Sequence, residues 1–302
     1  MTADNKGLRG SLVALVTPMK NNGGVDWAAL DRLVDWHVES GTHGIVPVGT
    51  TGESATLTPT EHKQVVAAVV RRVDGRLPVV AGAGANATAE AIEFTRAAQL
   101  DGADYCLSVT PYYNKPTQEG LYRHYCAIAE AADLPMVLYN VPPRTACDMQ
   151  AETVARLAGV DSIVGIKEAC GDAKRVAEIR ALVPDDFILL SGEDGQTMTM
   201  AGYGAVGAIS VTANVLPGLM AEFCEAFLAG DEAKASALDA KLQPIHEILF
   251  VETSPIPTKW ALSAMGRIDS GIRLPLVELT ATAQVEVRRR LEALTAAAQG
   301  CV

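Results

Sequence analysis

Ser162-Ile163-Val164-Gly165-Ile166-Lys167-Glu168 is the stretch on which the fold of this chain turns. Four β-compatible apolar or small residues lead straight into a lysine. Bounded by Asp161 and by Gly171-Asp172, the run reads as a fully buried strand of a parallel sheet. A lysine in such a strand is costly unless something compensates it. At an ordinary pKa near ~10.4, only roughly one lysine in 2,500 is neutral at pH 7. Burial lowers that pKa and frees a nucleophilic amine, which is how Schiff-base lysines arise. A structural pairing of Lys167 with a neighbouring carboxylate is the other reading of the stretch.

Working outward, similar apolar runs recur along the chain, each followed by a segment of helical spacing. Strands are expected over 12–16, 44–48, 79–83, 105–109, 136–139, 163–167, 187–191 and 205–210. Helices are expected over 26–40, 58–73, 88–100, 118–132, 151–158, 172–182, 196–202 and 215–229. Thr58, Pro59 and Glu61 form a capping-box start for the second helix, and Thr88 is the expected cap of the third. Gly82-Ala83-Gly84-Ala85 lacks a phosphate-loop lysine and reads as a tight strand-to-helix turn. Strict alternation requires parallel strands joined by right-handed crossovers. Eight units in about 230 residues favour a closed (β/α)8 TIM barrel over an open sheet. No GxGxxG follows the first strand, against a dinucleotide-binding fold. The expected organisation is an α/β catalytic barrel over 1–230 and a helical extension over 231–302. That extension has three helices, near 231–250, 256–265 and 280–297, packed on the barrel.

The chain has 302 residues, 49% hydrophobic and 20% charged, as expected of a soluble globular protein. Aromatics are only 5%, so the core must be built from Val, Leu, Ile and Ala. Lys plus Arg number 25 against 36 Asp plus Glu, a net charge of −11 with no basic cluster. Neither nucleic acid nor an anionic membrane is an expected partner. Cys106, Cys126, Cys147, Cys170, Cys224 and Cys301 form no CxxC pair and read as reduced small hydrophobes. The polar start, Met1 to Lys6, lacks the apolar core of a signal peptide, and no apolar run approaches ~18 residues. The cytoplasm is the expected compartment.

In a (β/α)8 barrel the chemistry gathers at the C-terminal ends of the strands. There the sequence offers Gly49-Thr50-Thr51-Gly52-Glu53-Ser54, Thr110-Pro111-Tyr112-Tyr113-Asn114, Tyr139-Asn140-Val141-Pro142-Pro143-Arg144, Lys167-Glu168 and Ser191-Gly192-Glu193-Asp194. One amine, three phenols, two adjacent threonines and one guanidinium share this rim, with no set of metal-ligand spacing. The Thr50-Thr51 turn can supply backbone N–H groups to a carboxylate or be no more than a turn. Tyr139 can be a proton donor or a packed ring, and Arg144 an anion site or a solvated charge. The combination suits an imine-forming lysine, which needs a proton shuttle, acting on an α-keto acid, which needs an anion site.

These motifs, with Gly165-Ile166-Lys167-Glu168, resemble the dihydrodipicolinate synthase family of pyruvate-dependent class I aldolases over essentially the whole chain. The resemblance implies that Lys167 forms an imine with pyruvate and that Tyr139 is the central proton donor and acceptor. It implies that Thr50 and Tyr113 complete a hydroxyl relay, Tyr113 coming from a neighbouring subunit. The backbone of Thr50 and Thr51 would hold the pyruvate carboxylate, Ile209 would line the pocket, and Arg144 would receive the carboxylate of L-aspartate-4-semialdehyde. No metal or organic cofactor is implied, since the imine is the electron sink. A homotetramer built as a dimer of dimers is implied, as is feedback inhibition by L-lysine. The inhibitor would sit among Ser54, Ala55, His62, Asn86, Glu90 and Tyr112, weakened by Pro59, where some sensitive members have His or Trp. Taken singly, His62 and Glu90 would be solvated helix residues. A sugar-acid lyase such as N-acetylneuraminate lyase is the alternative within the fold, and a non-catalytic amino-acid-binding homologue the alternative outside catalysis.

Overall fold

The computed structural model describes residues 8–299, with side chains through 294; the polar start and Cys301 lie outside it. Eight strands form one parallel sheet: β1 Gly10–Ala14, β2 Gly44–Val46, β3 Val80–Gly82, β4 Tyr105–Val109, β5 Met136–Asn140, β6 Ile163–Glu168, β7 Ile188–Ser191 and β8 Gly207–Ser210. Their order, β2-β1-β8-β7-β6-β5-β4-β3, leaves β2 and β3 to meet. They do so through a parallel bridge between Ile45 and Val79 and through Gly82 N–H donating to Pro47 O at 2.9 Å. This is a nearly closed TIM barrel.

Helices fill the crossovers: α1 Trp27–Glu39, α2 Pro59–Val73, α3 Thr88–Asp101, α4 Gln118–Ala131, the short α5 Pro142–Thr145, α6 Ala151–Leu157, α7 Lys174–Arg180, α8 Thr197–Gly202 and α9 Pro217–Leu228. Period-2 alternation along the strands divides the core in two. Inward residues, among them Leu12, Val46, Val80, Leu107, Val137, Leu190 and Ile209, fill the barrel. Outward residues such as Val13, Ile45, Leu138 and Ile166 meet helix residues such as Leu33, Val69, Leu121 and Ile179. Each aliphatic side chain so buried contributes roughly 1.5–3 kcal/mol. The extension follows as α10 Glu232–Ile248, α11 Ile256–Ala264 and α12 Ala281–Gln299. Its apolar residues Ile245, Leu249, Ile256 and Val287 cluster with Val215 of the loop before α9.

The α2 capping box forms as read from Thr58 and Glu61. Thr88 is not a cap: Ala87 holds that position without a side-chain bond, and Thr88 Oγ1 instead lies 2.9 Å from His124 Nδ1. The glycines of Gly82-Ala83-Gly84-Ala85 are not there for turn conformation either. A Cβ on Gly82 would lie 2.3 Å from Val48 O, and one on Gly84 2.3 Å from Val109 N, so close backbone approach excludes a side chain. Helix α5 was not expected; Pro142 at its first position supplies the preset φ that starts it. Among the described residues no helix is long and apolar enough to cross a membrane. Among them, too, no group of three or more His, Cys, Asp or Glu could hold a metal ion.

Candidate active site

The parallel register of β5 and β6 sets Tyr139 beside Lys167 and Asn140 beside Glu168, after a bulge at Met136/Val137. Both Tyr139 and Lys167 are 6% exposed, in the barrel interior, and the Lys167 ammonium stands 4.3 Å from the centre of the Tyr139 ring. Two glycines keep this space. A Cβ on Gly165 would lie 2.5 Å from Ile188 O, and one on Gly192 would lie 3.0 Å from Lys167 Cε. Ile209 is buried in the same interior cluster as Tyr139.

One residue further along each strand, the polar groups turn outward and are saturated. Asn140 Nδ2 donates to Glu168 Oε1 at 3.1 Å and to Asp148 Oδ1 at 2.9 Å, while Asn140 Oδ1 accepts from Met149 N. Glu168 Oε1 also accepts from Cys170 N at 2.8 Å, and Arg175 closes the network through a salt bridge to Asp148. Burial pushes the Glu168 carboxyl up to about 7, against the hydrogen bonds from Asn140 and Cys170.

Thr50 and Thr51 occupy a turn after β2. Gly52 N–H donates to Gly49 O and Glu53 N–H to Thr50 O, and Thr17 Oγ1 donates to Gly52 O at 2.6 Å. Thr51 is buried and Thr50 half-buried. Arg144 sits on α5, exposed, its guanidinium 3.5 Å from Ser254 O. That short helix is tied to the β4 loop, since Tyr113 N–H donates to Thr145 O and Thr110 Oγ1 to Thr145 Oγ1. Tyr113 itself is 88% exposed and held at φ +75° in a γ-turn, with Asn114 N–H donating to Tyr112 O at 2.9 Å.

A cleft of about 370 Å³ joins two of the expected sets: Thr50 and Arg144 line one part, and Ser54, Ala55, His62, Glu90 and Tyr112 the other, with Pro59 among them. Asn86 stands beside it, its amide donating to Tyr112 O at 3.2 Å. Lys167, Tyr139, Thr51, Ile209 and Tyr113 are not part of this lining. His62 is buried, not solvated: its ring stacks on Phe94 at 4.0 Å and its Nε2 lies 2.7 Å from Gly82 O. A carbonyl only accepts, so Nε2 carries the proton, and burial lowers the imidazole pKa to favour the neutral ring. Burial first, then the charge of Glu90, raises the Tyr112 phenol, so Glu90 and Tyr112 act on one another across the cleft.

Glu193 was on the rim by sequence but had no role. Burial and the charge of Asp194 raise its carboxyl, while Lys167 and Arg144 pull it down. Its charge is thus felt by both cations of the site, Lys167 and Arg144. Its position two residues past the end of β7 was the one available signal.

The profile of the Dihydrodipicolinate synthetase family matches residues 7–294. A relative named 4-hydroxy-tetrahydrodipicolinate synthase, from Alcanivorax borkumensis, is 60% identical over 94% of this chain and 97% of its own length. One of the same name from Methylococcus capsulatus is 57% identical over 94% and 98%. Among solved structures, the dihydrodipicolinate synthase of Acinetobacter baumannii, complexed with pyruvate, superposes with a TM-score of 0.94 at 51% identity, covering 95% of this chain and 99% of that one. The enzyme from Cyanidioschyzon merolae, with lysine bound, gives 0.93 at 40% identity over 96% and 99%. The chain belongs to the dihydrodipicolinate synthetase family.

Proposed function

We propose that this enzyme condenses pyruvate with L-aspartate-4-semialdehyde to 4-hydroxy-tetrahydrodipicolinate, through an imine on Lys167, and is inhibited by L-lysine. The observation that carries the reading is the buried Lys167 amine over the Tyr139 ring, in a barrel of this family. The amine adds to the pyruvate ketone, and loss of water gives the imine. Loss of a methyl proton gives the enamine, whose carbon attacks the aldehyde. The substrate's own amine then displaces Lys167 and closes the ring. Tyr139 moves the protons, with Thr50 and a neighbouring subunit's Tyr113 completing the relay. Thr50 and Thr51 offer backbone N–H groups to the pyruvate carboxylate, Ile209 lines the pocket, and Arg144 takes the carboxylate of the aldehyde.

An exposed tyrosine held in strained backbone supports a shared site, because a partner subunit would give the ring something to meet. The assembly proposed is a homotetramer, a dimer of dimers. Free Cys106, Cys126, Cys147, Cys170 and Cys224 fit a cytoplasmic location. For the inhibitor, Glu90 offers a charge to the ammonium groups of L-lysine, and Asn86 and Tyr112 offer donors to its carboxylate, with Ser54, Ala55 and His62 completing the wall. Pro59 gives less surface to the aliphatic stem than a larger ring would.

The test is turnover with pyruvate and each of two aldehydes, L-aspartate-4-semialdehyde and a sugar aldehyde, with L-lysine titrated into the productive reaction. Turnover with the semialdehyde, inhibited at millimolar L-lysine in the wild type and less in Glu90→Thr, is expected. Turnover with the sugar aldehyde alone moves the assignment to the sugar-acid lyases. Equal response of both proteins to L-lysine removes the inhibitor site.

A further inference from the structure

Behind the Thr50-Thr51 turn lies a set of buried charges for which the mechanism has no use. Glu53 closes the turn in the left-handed region, at φ 57° and ψ 38°, and Val48 opens it at φ 56°. Neither is a glycine, and Val48 is β-branched, so both ends are held against their conformational preference. A Cβ on Gly52 would lie 2.9 Å from Val48 N, so the turn has no slack on its inner side. Glu53 N–H donates to Thr50 O at 3.1 Å, and Glu53 O accepts from Thr56 N at 3.0 Å, so the Glu53 backbone is bonded directly to the turn.

The Glu53 side chain is 0% exposed and is met by the ammonium of Lys259, 3% exposed, from α11. Its second oxygen lies 3.4 Å from Arg273 N. Arg273 in turn forks onto Glu61 at 2.6 and 2.9 Å and donates to Thr56 O at 2.7 Å and Gly23 O at 2.8 Å. That fork holds the Glu61 carboxyl down at about 2. Glu53, Lys259 and Arg273 are absent from the lining of the cleft. A buried ion pair is a poor source of stability, because desolvation offsets most of the attraction, and in some proteins such a pair is kept for the geometry it specifies.

We propose that the buried Glu53–Lys259 pair, braced by Arg273, is a positioning clamp that sets the turn over residues 49–54 to receive the pyruvate carboxylate. The C-terminal extension is then a working part of the site and not only a cover on the barrel. The clamp rests on the reading that Thr50 and Thr51 hold that carboxylate.

The experiment neutralises the pair without leaving a lone buried charge, in the double variant Glu53→Gln/Lys259→Met of the full chain. Folding is checked by circular dichroism and thermal unfolding, and KM for each substrate is measured separately from kcat. In the folded double variant KM for pyruvate rises roughly tenfold and kcat falls by up to roughly 10²-fold, as misplacement of a binding group away from the chemistry can do. KM for the aldehyde stays near the wild-type value, and pyruvate with borohydride still labels Lys167 at saturation. Arg273→Gln, at a partly buried position, gives the same split in smaller measure and decides the matter if the double variant does not fold. Wild-type kcat and pyruvate KM in a folded variant, or an equal rise in both KM values, overturns the clamp. Absence of labelling in the wild type defeats the pyruvate-imine reading that the clamp presupposes, a failure distinct from that of the clamp itself.

Discussion

On the inner face of β5 and β6, Tyr139 and Lys167 meet with the ammonium 4.3 Å above the ring, and among the described residues no hydrogen bond ties the amine down. One position along, on the outer face, Asn140 and Glu168 are bound to Asp148, Met149, Cys170 and, through Asp148, to Arg175. The same two strands thus leave their inward polar groups available and satisfy their outward ones. A strand alternates faces by geometry, so a residue pair such as Lys167-Glu168 serves two environments at once. The outer network holds the strand ends in register, and the inner pair gains a fixed distance from it. The two faces should therefore respond to substitution in different measurable quantities.

The largest effect is expected on the inner face. Tyr139→Phe keeps the ring beneath Lys167 and removes only the hydroxyl, so kcat should fall by about 10²–10⁴-fold, the range for a lost general acid–base, with thermal stability little altered. Full kcat in the phenylalanine variant would put the proton shuttle elsewhere. At the rim, Arg144→Ala should lower kcat/KM for the semialdehyde by roughly 10- to 100-fold, as loss of a charge-assisted contact worth about 1.5–3 kcal/mol implies. Pyruvate should still be trapped on the lysine in that variant. Unchanged turnover would make Arg144 a surface charge.

The outer face should show its effect in stability and least in activity. Burial raises the Glu168 carboxyl from 4.5 to about 7, above its value in the unfolded chain. Its contribution is then fully present below pH 4.5 and is lost as pH rises through 7. Glu168→Gln removes that titration. Against the variant, the wild type should lose up to about 3 kcal/mol of unfolding free energy between pH 5 and pH 8. Denaturant unfolding of both proteins at the two pH values measures this. A difference that does not change with pH would mean that Glu168 stays ionised in the folded protein.

Much of this was legible in the chain because its signals are local. Short apolar runs such as 136–139 and 163–167 recur with helical segments between them, and that alternation leads to the barrel and puts Lys167 and Tyr139 on one rim. What was not legible depends on contacts between distant segments. Glu53 and Lys259 are 206 residues apart, and no periodicity links them. The glycines at 82 and 84 read as a turn because the backbones they must admit, at Val48 and Val109, belong to other strand ends. Taken singly, away from the inhibitor set, His62 read as a solvated helix residue because the ring that covers it, Phe94, lies on the next helix. Helix α5 is only Pro142–Thr145, too short for a periodic pattern to declare itself.

The central claim is that Lys167 is the amine that takes pyruvate. The protein is incubated with pyruvate, reduced with borohydride, digested and mapped by mass spectrometry, beside Lys167→Arg, whose guanidinium stays protonated. One reduced pyruvyl group per chain, on Lys167 and absent from the arginine variant, is the expected result. A group on any other residue, or labelling that survives in the variant, would contradict the account.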